Sequence, residues 1–181
     1  DGSTVASVAG LISKCELLKN QGNESFKAGD WETATLVYDD AIGRMTSAAA
    51  MEALREATPV PDTATPLLVS LYTNAAACHI KRENWQKAAD AGNAALMLDD
   101  TSTKARFRRG LARSKLGNYE EAKADLAAVV RKDPQNREAR AALEANSAAL
   151  KEHASSQRAM FSKAFAGPSL YADEEAKRQA A

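Results

Sequence analysis

Lys104 and Arg108 stand four residues apart inside Thr103–Gly117, a stretch with six basic residues and no acidic one. The chain as a whole is neutral, with 24 Lys and Arg against 24 Asp and Glu. Side chains four apart on a helix project from one face. The same spacing joins Lys19 to Asn23 upstream, and Asn74 lies in the segment between the two pairs. Ammonium and guanidinium groups bind carboxylates through charge-assisted hydrogen bonds, while Asn side chains both donate to and accept from a peptide backbone. Brought together in one groove, these five residues would capture an acidic peptide. A chain ending in aspartate suits them best, since its terminus carries two carboxylates close together.

Other chemistry has little to work with. His79 and His153 are the two histidines, and neither lies in an H-E-x-x-H, C-x-x-C or G-x-S-x-G context. No glycine-rich loop is placed to cradle a phosphate. Cys15 and Cys78 are far apart without metal-ligand spacing, so two buried, reduced thiols are expected rather than a disulfide or zinc site. We therefore expect no cofactor, no metal and no enzyme in this segment. Zero net charge gives no general basis for binding nucleic acid or an anionic membrane. No run of eighteen apolar residues is present, and the first twenty residues lack the basic-then-apolar order of a signal peptide. A soluble, monomeric, cytoplasmic protein is expected, with the nucleus as a second compartment. The start at Asp1 suggests a domain excised from a longer protein.

The elements that must position the five residues follow from composition and period. Aromatics make up 6% of the chain, alanine is abundant and alternating β-branched runs are missing, which predicts an all-α fold. A 34-residue period aligns 69–102 with 103–136: Ala76 falls on Gly110, Trp85 on Tyr119, Ala88 on Ala122, Ala95 on Val129 and Asp100 on Pro134. From Cys15 the same offsets hold Gly22, Trp31, Ala34, Tyr38 and Ala41. Each unit is a helical hairpin whose small residues let its two helices approach, with turns at Gly29-Asp30, Glu83-Asn84 and Gly117-Asn118. The aromatic after each turn is expected in the core.

The first and second repeat starts are 54 residues apart, 20 more than one period. Thr46–Ala57 is rich in helix formers, so the second helix of repeat one is predicted to run on, ending at Pro59 and Pro61. Thr65 as N-cap and Pro66 at the first helical position would start the next helix. Ser3–Lys14 extends the first helix, with Gly10 as a weak point. Residues 137–166 read as one long capping helix that covers the last repeat with Leu143, Leu150, Phe161 and Phe165. Gly167-Pro168 stops it, leaving 167–181 as a flexible tail. The domain thus spans 1–166, with repeats at about 15–48, 69–102 and 103–136 and the insertion reaching 68.

This pattern resembles the tetratricopeptide repeat (TPR), which implies a right-handed superhelical array of three helix-turn-helix repeats plus a C-terminal capping helix. In such a stack the first helices of the hairpins line the concave surface, so Lys19, Asn23, Asn74, Lys104 and Arg108 share one groove. They also match, residue by residue, the dicarboxylate clamp of co-chaperone TPR domains, which bind the Glu-Glu-Val-Asp terminus of heat-shock protein 90 or heat-shock protein 70. The resemblance implies that Lys19, Asn23, Asn74 and Lys104 hold the terminal aspartate and that Arg108 reaches further back along the peptide. Arg106, Arg113 and Lys115 stay open between steering and packing, and Arg109 is read as structural because its offset normally faces the partner helix.

Lys-Ala-Arg-Phe-Arg-Arg-Gly at 104–110, Lys-Glu-His at 151–153 and Ala-Met-Phe-Ser-Lys-Ala-Phe at 159–165 are similar to the C-terminal TPR domains of large FKBP-type immunophilins. That likeness covers roughly residues 12–166. It implies a co-chaperone adaptor docking on the Met-Glu-Glu-Val-Asp tail of heat-shock protein 90, with any peptidyl-prolyl isomerase activity residing in a preceding domain. The alternative is a TPR scaffold of another co-chaperone class, binding the heat-shock protein 70 tail or a different protein segment. Lys151, His153, Arg158 and Lys163 form too sparse a basic set for calmodulin to be an expected partner.

Overall fold

A computed structural model describes residues 2–57 and 62–165, with side chains from Val8 onward. The described residues form eight helices and no strand: α1 (Gly2–Lys27), α2 (Trp31–Thr46), α3 (Ala48–Glu56), α4 (Ala64–Lys81), α5 (Trp85–Leu98), α6 (Thr103–Lys115), α7 (Tyr119–Lys132) and α8 (Arg137–Phe165). Pairs α1/α2, α4/α5 and α6/α7 are the hairpins of a TPR-like array.

Each hairpin turns through the same backbone device. Gly29 (φ 80°), Glu83 (φ 57°) and Gly117 (φ 83°) adopt the left-handed conformation just past the first helix. The next amide then reaches back five residues: Asp30 N to Ser25 O at 3.0 Å, Asn84 N to His79 O at 2.8 Å and Asn118 N to Arg113 O at 2.9 Å. These bonds satisfy carbonyls that the helix end would otherwise orphan. Close packing follows from the small residues. A Cβ on Gly22 would lie 2.6 Å from the Tyr38 ring, and one on Gly110 would lie 3.0 Å from Leu126 Cγ. Ala34, Ala88 and Ala122 at the matching offset of the second helices are fully buried.

Hairpins stack through α2 on α4, α5 on α6 and α7 on α8. The first helices α1, α4 and α6 also touch in sequence and form the wall that carries the candidate residues. Cys15 and Cys78 are buried free thiols, in keeping with their spacing.

Several sequence expectations require correction. The second helix of repeat one does not run on through Thr46–Ala57. Ser47 takes an extended conformation (φ −61°, ψ 149°), and its hydroxyl accepts from Ala50 N, starting a separate helix α3. An N-cap residue at the break overrides helix propensity. The N-cap of the next helix is Thr63, two residues before the expected Thr65, so Pro66 is the third helical residue rather than the first. That position is equally tolerant, since the first N–H needed for the helix ladder is Leu67 N, bonded to Thr63 O at 3.0 Å. Gly10 does not interrupt α1.

Trp31 is not core: it is 36% exposed, with Lys81 Nζ 5.9 Å from its ring. Trp85 is half-buried beneath Lys115 at 5.8 Å. The expected apolar face of α8 is only half used. Ala139 and Asn146 are buried and Leu143 and Leu150 half-buried, whereas every residue of 151–165 is exposed, Phe165 to 79%. Pro59, Pro61, Gly167, Pro168 and the expected tail 167–181 lie outside the described residues.

Candidate functional site

Asn23 on α1 and Asn74 on α4 meet directly, with Asn74 Nδ2 donating to Asn23 Oδ1 at 3.1 Å. Tyr38 on α2 donates its hydroxyl to the same oxygen at 2.7 Å. Arg108 on α6 completes the junction by donating to the Thr73 carbonyl one residue before Asn74. A cavity of about 160 Å³ is lined by Asn23, Phe26, Lys27, Tyr38, Asn74, Ala77 and Arg108. Three helices distant in sequence thus deliver polar groups to one point, because the repeat gives each the same face.

Two neighbouring cavities share walls with the first. One of about 380 Å³ includes Phe26, Ala77, Lys104, Phe107, Arg108, Leu111 and Glu138. The other, about 620 Å³, includes Val69, Thr73, Asn74, Leu98 and Lys104. Shared lining residues join the three into one trough. Four of the five candidates, Asn23, Asn74, Lys104 and Arg108, therefore line connected space. Lys19 is half-buried one turn before Asn23 and does not line these cavities.

Electrostatically the trough carries Lys27, Lys104 and Arg108 against Glu138 and Asp99, and neither carboxylate is in ion-pair contact with Arg108. Arg108 has no ion-pair partner among the described residues, and burial pushes its guanidinium pKa down. It stays charged nonetheless. Burial also pushes the Tyr38 phenol up to about 12, so its hydroxyl remains a donor. The N–H donors of Asn23, Lys27, Lys104 and Arg108 suit an anionic ligand. A cavity of about 710 Å³ between α1, α2 and α3 contrasts with it. There Arg44 is paired with Asp40 at 2.9 Å, leaving no comparable set of donors.

The rest of the basic stretch has a different job. Arg109 grips buried Asp125 on α7 through two bonds of 2.8 and 2.6 Å and donates to Asn93 Oδ1 at 2.9 Å. Arg113 donates to Asp125 at 2.8 Å, and Arg106 Nη1 lies 4.0 Å from it. Arg109 is structural, as its offset implies, while Arg106 and Arg113 resolve toward packing rather than steering.

Sequence reasoning finds Tyr38 in the repeat register but misses it as part of the site. A polar-tipped aromatic opposite an Asn-bearing helix is the available signal. Asp125 is missed too. Its signal is an acidic residue on the inner face of α7, three positions after Ala122.

Comparison with known proteins agrees with this architecture. The family model for the tetratricopeptide repeat matches residues 75–145. The C-terminal TPR-containing domain of a Plasmodium falciparum FK506-binding protein is similar at 26% identity, covering 80% of this chain and 93% of that one, with a TM-score of 0.73. The first TPR of Spaghetti (RPAP3), bound to the heat-shock protein 90 peptide SRMEEVD, is 32% identical over 77% of this chain and 94% of that one, TM-score 0.61. The second TPR domain of human RPAP3, in complex with the heat-shock protein 70 peptide SGPTIEEVD, is 29% identical over 72% and 92%, TM-score 0.57. With hairpins, left-handed turns and buried small residues repeating at the offsets read from the sequence, and with this similarity along nearly the whole of a solved TPR domain, the chain belongs to the tetratricopeptide repeat family.

Proposed function

We propose that the trough along α1, α4 and α6 is a dicarboxylate clamp for the free carboxyl terminus of heat-shock protein 90, and that this module docks an immunophilin-type co-chaperone on that tail. The observation that carries the reading is the junction of Asn23, Asn74 and Arg108, where a largely desolvated guanidinium has no carboxylate in ion-pair contact among the described residues, Glu138 acting on it only from across the trough. A desolvated cation held only by a backbone carbonyl is costly, and an incoming carboxylate offsets that cost. Asn23 and Asn74 would orient the terminal aspartate, with Lys19 and Lys104 supplying charge from α1 and α6. Arg108 would reach the peptide further back, where Phe26, Phe107 and Leu111 offer apolar wall to upstream residues.

The similar RPAP3 domain bound to SRMEEVD supports this partner class. A second reading, the heat-shock protein 70 tail, is favoured by the RPAP3 domain in complex with SGPTIEEVD, which ends in the same four residues. The similar FK506-binding protein domain supports the immunophilin setting.

Calorimetric titration with Met-Glu-Glu-Val-Asp, as free acid and as C-terminal amide, tests the proposal. Amidation or Lys104→Ala should each cost roughly 1.5–3 kcal/mol, about ten- to a hundredfold in affinity. Equal binding of acid and amide would sink it. Binding should also weaken with added salt, because ion pairs at an open groove are screened.

A further inference from the structure

We infer that Tyr38 is a positioning residue that sets which way the Asn23 amide faces, and so makes the trough selective for an ionised carboxylate at that point. The inference rests on the clamp reading and deepens it.

An amide oxygen has two lone pairs. Those of Asn23 Oδ1 are taken by the Tyr38 hydroxyl at 2.7 Å and by Asn74 Nδ2 at 3.1 Å. What Asn23 has left for a ligand is its NH2 group, a donor with no accepting capacity. Turning the amide over would set its NH2 against that of Asn74, two donors with no acceptor between them. The phenol is held in place: Tyr38 is 1% exposed, and its ring packs where Gly22 leaves room for it. Burial keeps the hydroxyl protonated, and the Asn74 side chain also hydrogen-bonds the phenol oxygen, which leaves the phenol proton for Asn23. Lys27 and Arg108, in the same cavity, are donors only. A carboxylate set against Asn23, Lys27 and Arg108 meets donors alone, whereas a terminal amide there sets its own NH2 against that of Asn23.

Tyr38 touches the ligand in no part of this scheme. It acts through Asn23, so its removal should change discrimination more than general affinity. The test uses the full 181-residue chain and the peptide Ser-Arg-Met-Glu-Glu-Val-Asp as acid and as amide. With Tyr38→Phe, the ring and its packing remain. Acid affinity should fall about threefold to tenfold while amide affinity stays level, narrowing the acid-to-amide ratio. Loosening of the fold alone would weaken both peptides together. A wild-type protein that discriminates and a Tyr38→Phe variant with the same ratio would overturn the inference and leave the clamp reading standing.

Asn23→Asp gives a second arm that needs no peptide. A carboxylate still accepts from Tyr38 and Asn74, so melting temperature should hold or rise if Asn23 is an acceptor there. A clear drop means that Asn23 donates inward and overturns the inference, whether or not Tyr38→Phe folds. If wild type fails to distinguish acid from amide, the clamp reading fails, and this arm still decides the orientation of Asn23.

Discussion

A single missing Cβ shows how tightly the candidate site is built. Gly22 admits the Tyr38 ring, and a methyl group there would sit 2.6 Å from Tyr38 Cε1. Gly22→Ala should destabilise by about 1–3 kcal/mol through overpacking, read by denaturant melts. It should weaken peptide binding beyond that, because the displaced ring carries the hydroxyl on Asn23. His79 makes a different prediction. It is buried, its Nδ1 has no hydrogen-bond partner among the described residues, and burial lowers its pKa below the ordinary value of 6.5. The unfolded chain therefore takes up this proton first as pH falls. Stability is full above about pH 6.5 and declines as pH drops through the lower folded-state pKa. Subtracting the pH profile of His79→Asn melting temperatures from that of wild type should isolate the decline. A flat difference would show that His79 titrates alike in both states.

Helix pairs are held by unequal means, and α6 on α7 relies on charge. Asp125 is 3% exposed and faces the guanidinium groups of Arg109 and Arg113 directly, with Arg106 at the margin. Removing the carboxylate leaves several partly buried cations without a counterion. Asp125→Ala should cost about 3–5 kcal/mol in a chemical denaturation midpoint experiment. Replacing Asp125 and Arg109 together by apolar residues should cost less than the single change. The same interface marks the limit of what a repeat makes legible. Periodicity turns residue number into a coordinate, so the amino-acid sequence alone suffices to place Asn23, Asn74 and Arg108 on one wall. Pairing across a hairpin is not periodic: position 125 corresponds to Ala91 in the preceding repeat, which gives no hint of an acidic hub. Ser47 is hidden for a related reason. The residues after it, Ala48–Glu56, favour helix, and the break shows only in how Ser47 caps α3 and in the burial of Ala50 and Ala57.

Across the whole molecule, stability should fall unevenly along the chain. The proximal part of α8 closes the array through Ala139 and Asn146, whose Nδ2 donates to Tyr119 O at 2.8 Å, and His153 reaches the Tyr119 ring at 5.5 Å. Beyond it, Met160, Phe161 and Phe165 are exposed, and Phe161 and Phe165 stack on each other. Ending the chain at Gln157 should therefore move the melting temperature by no more than about 2 °C. Ending it at Gln135 should lower the melting temperature sharply by uncovering α7. Apolar residues at helical spacing announce a helix here but not how far its neighbour extends beneath it, which is why Phe161 and Phe165 read as covering residues in the sequence and stand exposed in the fold. The two Lys-over-Trp contacts have a use of their own. Lys81 belongs to the second hairpin and covers Trp31 of the first; Lys115 belongs to the third and covers Trp85 of the second. Each indole is thus a built-in fluorescent reporter for one junction between hairpins, and single-Trp variants would let the melting of the two junctions be timed separately by their own light.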